Sequence, residues 1–420
     1  GPLESPFAGN LAEVCPTGVF NDKGWSGDYA RKWDMAATPS VCTHCSVGCN
    51  LFVAERGGRV RRVQNRYNAA VNGHFICDRG RFGALHVAAP GLTGARIDGA
   101  EAATDDALAA ARAALADAAG AVASPRGTLE SAFALRELVG PERLCAATSD
   151  LEARTMARIA ALLAEGRAAS LSDLERADTA LVLGEDLMGT APRAALALRQ
   201  TARNAALRLA EEKGVPRWLD SAARVAGEGR RSAIALVTAL PDALDEIAAR
   251  PIRRDPAAIA AFGHAVADAL EGRKAGEEAQ AVAAMLQAGE APAVIAGFGT
   301  GRADVVEAAG RIAAALGERA QRLFFPPEAN SLGLARITDR GLERALAHLN
   351  SGDARTLVVA EADPYERADA ALVDRLFAAA ARVIVLDALP TRTTESADIL
   401  LPVANMAEAA GTLVNHEGRA

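Results

Sequence analysis

The chain has 420 residues and a formal net charge of −7; half of its residues are hydrophobic and only 4% aromatic. Its 100 alanines and its 42 arginines against 4 lysines fit the coding bias of a GC-rich genome. Such apolar content excludes a disordered chain, the acidic balance argues against nucleic acid as a partner, and no uninterrupted apolar run reaches the roughly 18–20 residues that span a bilayer.

The length predicts two or three domains with ample core. No charged segment followed by an apolar one marks a secretion signal at the start. The chain begins without Met at Gly1-Pro2, a protease scar or native sequence, and stops at Arg419-Ala420 without a terminating feature. A piece of a longer protein is expected.

The first residue that carries chemistry is Cys15, in Val14-Cys15-Pro16-Thr17-Gly18. A Cys-Pro is how ferredoxin-type sequences close a cluster's ligand set, but the three closer companions are absent here. Cys15 is either a free thiol or, the favoured reading, a ligand whose partners lie elsewhere. Four more cysteines follow within 36 residues as Cys42-x2-Cys45-x3-Cys49-x27-Cys77. Two- and three-residue gaps let one loop aim three thiolates inward, with Gly48 permitting the tight path beside Cys49. Four thiolates suit an iron–sulfur cluster or structural zinc. The lone Cys77 departs from the paired knuckles of zinc sites, so the spacing favours a 4Fe–4S cluster over zinc and over plain reduced thiols. His44 lies inside the loop, but four cysteines fill the shell, so it is expected behind the ligands or facing solvent. Between Glu55 and His86 seven arginines (56, 59, 61, 62, 66, 79 and 81) face two acids. They read as a solvated face, an interface to an acidic neighbour or an offset to a thiolate cluster.

From about Ala102 helices alternate with short apolar strands. Thr104 is the expected N-cap of an Ala-rich helix reaching about Ala119, with Asp105 and Asp106 in its first turn. Strand cores are expected at 121–123, 179–183, 233–237, 293–296, 356–359 and 382–386, which predicts parallel sheets with helices on both faces. Ligands of such sheets bind at the carboxyl ends of the strands. Gly297-Phe298-Gly299-Thr300-Gly301 resembles a phosphate-cradling turn but puts Arg302 where a third Gly belongs, so a plain strand-to-helix turn is expected. Cys145 reads as a buried small hydrophobe.

These pieces together resemble the G subunits of bacterial NADH-quinone oxidoreductase, respiratory complex I. The resemblance rests on residues 39–50, Asn65-Arg66-Tyr67-Asn68, residues 77–83, the stretches around Cys15 and Trp33, Leu181-Val182-Leu183-Gly184-Glu185-Asp186 and residues 411–419. It implies an α/β chain: a remnant of an N-terminal ferredoxin-like region (1–38), a small cysteine-rich iron–sulfur domain (39–97), and two Rossmann-like parallel-sheet lobes of the molybdopterin oxidoreductase type (98–420). Lobe one would take about 98–140 and 290–420, and lobe two about 141–289. Cys42, Cys45, Cys49 and Cys77 would bind a 4Fe–4S cluster that lies off the main electron path. Cys15 would be the last ligand of a second 4Fe–4S cluster on that path. The implied function is electron carriage from NADH toward quinone in the peripheral arm, beside other complex I subunits, on the cytoplasmic side of the bacterial inner membrane. No substrate site, membrane span or catalytic competence of the isolated piece is expected. The wider superfamily includes molybdopterin enzymes of the formate dehydrogenase type, the alternative reading. Two departures argue against bound molybdopterin: Arg79 stands where active members usually have Lys, and Ser149, slightly off register, is the only candidate metal ligand.

Overall fold

The computed structural model describes residues 3–27, 29–83, 87 and 89–420; Gly1, Pro2 and His86 lie outside them. Fifteen strands are present among the described residues: β1 (Ala36–Val41), β2 (Asn50–Arg56), β3 (Arg59–Asn65), β4 (Ala95–Ile97), β5 (Ala100–Ala102), β6 (Ala119–Ala123), β7 (Leu144–Ala146), β8 (Thr179–Leu183), β9 (Ala233–Thr238), β10 (Arg250–Arg253), β11 (Pro292–Gly297), β12 (Gln321–Phe325), β13 (Thr356–Ala360), β14 (Arg382–Asp387) and β15 (Ile399–Pro402). They form sheets of three, five and seven strands. The chain divides into two units, one of Gly1–Ala54, Arg61–Arg81 and Ala161–Pro327, the other of Glu55–Val60, Phe82–Ala160 and Glu328–Ala420.

The small sheet runs in the order β1-β2-β3. Gly57 and Gly58 join β2 to β3 with φ of +63° and +72°, and a two-residue turn with both φ positive is one that side chains resist.

The five-stranded sheet has the order β10-β9-β8-β11-β12, every pair parallel. β8 and β11 are buried along their whole length, as expected of strands covered by helices on both faces. Two of the covering helices, Pro256–Leu270 and Ala303–Leu316, approach closely: a Cβ on Gly263 would lie 2.6 Å from a Leu183 methyl and 2.8 Å from the Ala308 Cβ. Asp255 caps the first of these helices by accepting from the amides of Ala257 and Ala258.

The seven-stranded sheet has the order β5-β4-β15-β14-β13-β6-β7, parallel from β15 to β7 with an antiparallel β4–β5 edge. Successive residues feed opposite cores: Ala121, Ala123, Val358 and Ile384 point to one, Val122, Leu357, Val359 and Val385 to the other. The period of two along each strand thus fills both faces.

Mixed α/β architecture with parallel sheets is as the sequence predicts, but several limits move. β11 and β12 pair beside β8 rather than in the lobe assigned to 290–420, and β7 joins β6 rather than the lobe assigned to 141–289. β4, placed at the end of the iron–sulfur domain, pairs with β15. Strand pairing is a tertiary choice that alternation along the chain does not encode. The helix expected from a Thr104 cap has Ala103 at its N-cap, without a side-chain bond, and runs Thr104–Leu115. It stops short of Ala119, which pairs with Thr356 as the start of β6.

Candidate metal centre

The loop between β1 and β2 carries Cys42, Cys45 and Cys49. The Cys42 amide donates to the Cys49 carbonyl at 2.8 Å, and Gly48, at φ +64°, makes the left-handed turn that brings the third thiol back. Cys77 arrives from the end of a separate loop, where the helix Asp78–Phe82 begins. Gly80 in that helix is the close approach that joins the two segments: a Cβ there would lie 3.2 Å from the Cys42 sulfur and 3.8 Å from that of Cys77, and its own amide donates to the Cys77 sulfur at 3.4 Å.

All four cysteines are 5–6% exposed, and Ser46 and Val47 in the same loop are buried too. Burial pushes the Cys42 thiol up to about 12, helped by the neighbouring charge of Cys45; it raises Cys45, and it lifts Cys49 well above the usual thiol range, with Cys42, Cys45 and Cys77 adding to the rise. Among the described residues no three His, Cys, Asp or Glu side chains are grouped as ligands of one metal ion. A single zinc would hold its sulfurs at about 2.3 Å.

Donors and cations offset the charge that deprotonated thiols would carry. The His44 and Val47 amides donate to the Cys42 and Cys45 sulfurs. Arg79 lies where its charge favours the thiolate form of Cys45 and is itself fixed by donating to the carbonyls of Gly189 (2.6 Å) and Thr190 (3.0 Å). Arg193, 7% exposed, favours the charged form of Cys49 while its Nε donates to the Asn72 carbonyl at 2.9 Å and it pairs with Glu175.

Asn72, fully buried, ties the loop together: it accepts from the Asn50 amide (2.9 Å) and donates to the Asn65 side chain (2.7 Å). The N-terminal segment packs onto the same site. Asn10 donates to the Ile76 carbonyl and accepts from Arg81, Arg81 pairs with Glu13, and the Gly9 amide donates to Asp78. The arginine-rich stretch is therefore not a uniformly solvated face. Arg62 and Arg81 are buried, Arg62 over the Trp25 ring, and Arg66 donates to Ser40.

Cys15 stands apart from the four. Its sulfur shares a hydrogen bond with Thr17 at 3.3 Å, and the amides of Phe20, Thr17 and Val19 are directed at it. Those donors, that of Phe20 first, lower its thiol to about 6. His44 is half-buried. Ser149 accepts from the Glu152 amide at 3.1 Å at the start of the helix Asp150–Ala164. Cys145 is fully buried in β7.

Sequence reasoning missed Asn72, Arg193 and the strand-end Glu185, each of which works through partners distant in the chain. It also missed two buried glutamates, Glu152 and Glu328, that share the half-buried Arg367 as their ion-pair partner. Burial pushes Glu152 up to about 7 against the pull of Arg367.

Four buried thiols, three on the loop between β1 and β2 and one just before the helix Asp78–Phe82, set on an α/β scaffold of parallel sheets, define the class. The chain belongs to the molybdopterin oxidoreductase family, whose model matches residues 105–420, while the molybdopterin oxidoreductase Fe4S4 domain model matches residues 35–89. All of the chain aligns with the G subunits of NADH-quinone oxidoreductase from Pseudomonas putida (42% identity), Pseudomonas fluorescens (41%) and Escherichia coli K12 (36%), covering 48%, 48% and 49% of those proteins. It thus spans about half the length of these relatives. Acetylene hydratase from Pelobacter acetylenicus shares the fold at a TM-score of 0.59 and 11% identity, over 90% of this chain and 64% of that one.

Proposed function

We propose that the chain is the cluster-bearing part of a complex I G subunit and carries electrons from NADH toward quinone in the peripheral arm. The observation that carries the cluster-bearing part of this reading is the burial of Cys42, Cys45, Cys49 and Cys77, with Arg79 and Arg193 placed to offset their charge; the place on the main electron path would belong to the cluster of Cys15. Burial raises Cys42, Cys45 and Cys49 toward the protonated form; a 4Fe–4S cluster would take them as thiolates and its irons would offset that charge, so the donor set fits such a cluster. The cluster supplies one-electron transfer. The chain's own residues exclude water, fix the sulfurs, aim amides at them and balance their charge.

Cys15 fits the last ligand of a second 4Fe–4S cluster, because its loop already favours a thiolate without any metal. The ligands that would complete that second site are not among the other five cysteines. Four of those form the cage, and Cys145 sits inside a sheet core. The chain works without molybdopterin: Arg79 is committed to Cys45 and to two carbonyls, and Ser149 to capping a helix.

The partners are other subunits of the arm. Val14, Val19 and Phe20, flanking Cys15 in the chain, and Trp33 further along expose 57–79% of their surface, which fits burial against a neighbour. No described helix is long and apolar enough to cross a membrane, and a peripheral place on the cytoplasmic side of the inner membrane accords with a reaction fed by NADH.

Metal, acid-labile sulfide and pterin analysis of the anaerobically reconstituted chain tests this reading. About four irons and four sulfides per chain are expected, with no releasable pterin, molybdenum or tungsten. Fewer than about two irons with zinc in their place would sink the cluster; stoichiometric molybdenum and pterin would point to an enzyme of the formate dehydrogenase type.

A further inference from the structure

In the five-stranded sheet the chain builds β8, β9 and β10 to one side, then returns to build β11 and β12 on the other. The reversal lies between β8 and β11, which pair in parallel. In open parallel sheets the crevice at the carboxyl ends of two such strands is where nucleotide-like ligands bind. Here β8 runs out through Gly184 to Glu185, and β11 into the turn Gly297–Gly301.

Glu185 fills that crevice. Its side chain is 1% exposed. One carboxylate oxygen accepts from the Gly299 amide at 3.1 Å and the other from the Thr190 hydroxyl at 2.8 Å. The turn closes on it because it lacks side chains: a Cβ on Gly297 would lie 2.0 Å from one carboxylate oxygen, and one on Gly299 would lie 2.8 Å from the other. Neighbouring amides are also committed. Gly301 donates to the Phe298 carbonyl, and Gly189 to the Asp186 side chain. A phosphate would find the cradle occupied by a carboxylate and the amides of Gly299, Gly301 and Gly189 in use.

We propose that Glu185 is the built-in occupant of the switch-point crevice of the five-stranded sheet, so that this lobe cannot take the phosphates of a nucleotide or pterin dinucleotide. The inference rests on the reading that the chain works without molybdopterin, and supplies its structural cause. The molybdopterin group does not fit this crevice, and no step of the chain's chemistry passes through it. The two glycines serve to admit a carboxylate from within rather than a ligand from without.

The test uses the full chain with its cluster in place and inorganic pyrophosphate as probe, read by hydrogen exchange across 297–301. Exchange data locate the binding, which matters because the seven-stranded sheet has its own reversal between β6 and β13. Wild type and the isosteric E185Q are expected to show no protection there at millimolar pyrophosphate. E185S and E185A, made in parallel with unchanged iron content, are expected to gain protection at concentrations at least about tenfold lower. Protection of 297–301 in wild type or E185Q overturns the proposal, as does its absence in whichever of E185S and E185A melts like wild type. A pterin assay on the same wild-type sample separates the two claims. Released pterin defeats the underlying reading, whereas a pterin-free chain whose emptied crevice stays closed defeats only the role of Glu185.

Discussion

Arg79 shows how one side chain can serve both the cage and its support. Its charge favours the thiolate form of Cys45 while two backbone carbonyls hold the guanidinium in place. A cation there favours added negative charge at the cage, so Arg79→Gln is expected to make cluster reduction harder by on the order of 1–2 kcal/mol at an effective dielectric near 20. Arg79→Lys keeps the charge but not the fork of donors and should fall between the two. A potentiometric titration followed by EPR reads the shift; an unchanged midpoint in Arg79→Gln would remove Arg79 from the site. Spacing marks Cys42, Cys45 and Cys49 because their loop is local; Cys77 comes from a separate loop, brought toward Cys42 by the close approach of Gly80. Arg193 and Asn72 were not legible, since an arginine in a helix and an asparagine before a glycine look ordinary until the fold places them 121 residues apart in sequence but in hydrogen-bonding contact.

At the scale of elements, the sequence exposed the buried central strands best. β8, β9, β13 and β14 are five- or six-residue apolar runs rich in Val, Ile and Leu, which need no partner to be recognised. β10 opens on Arg250-Pro251 and β12 on Gln321-Arg322, while β4, β5 and β7 have three residues each; their strand character comes from pairing. For the same reason the sheet to which β11 belongs was not legible. The close crossing of the helices Pro256–Leu270 and Ala303–Leu316 depends on Gly263, whose missing side chain admits Leu183 and Ala308. Gly263→Val is therefore expected to lower stability by about 1–3 kcal/mol through overpacking, despite the better helix propensity of valine over glycine. A urea titration checks it, and a midpoint equal to wild type would show that the two helices are not in fixed contact.

For the molecule as a whole, the buried carboxylates shape stability against pH. Burial pushes both Glu152 and Glu185 up to about 7. A carboxyl whose folded pKa lies above its unfolded value keeps its proton in the folded state while the unfolded chain has lost it. Stability therefore falls as pH rises through the window from the ordinary glutamate range to about 7, by up to about 1.4 kcal/mol per pH unit for each group. Glu185→Gln should flatten this slope, gaining stability relative to wild type toward pH 7.5 and little near pH 5. Parallel urea midpoints for the two proteins across that range would mean that Glu185 is charged in the fold.

The central claim is that four buried thiols hold one 4Fe–4S cluster. Low-temperature EPR of the dithionite-reduced, anaerobically reconstituted chain measures it most directly. The account predicts the signal of a single reduced 4Fe–4S cluster in wild type, its loss in Cys49→Ala, and its retention in Cys15→Ala and Cys145→Ala. A wild-type chain with no such signal and bound zinc, or a signal that survives Cys49→Ala, would contradict it.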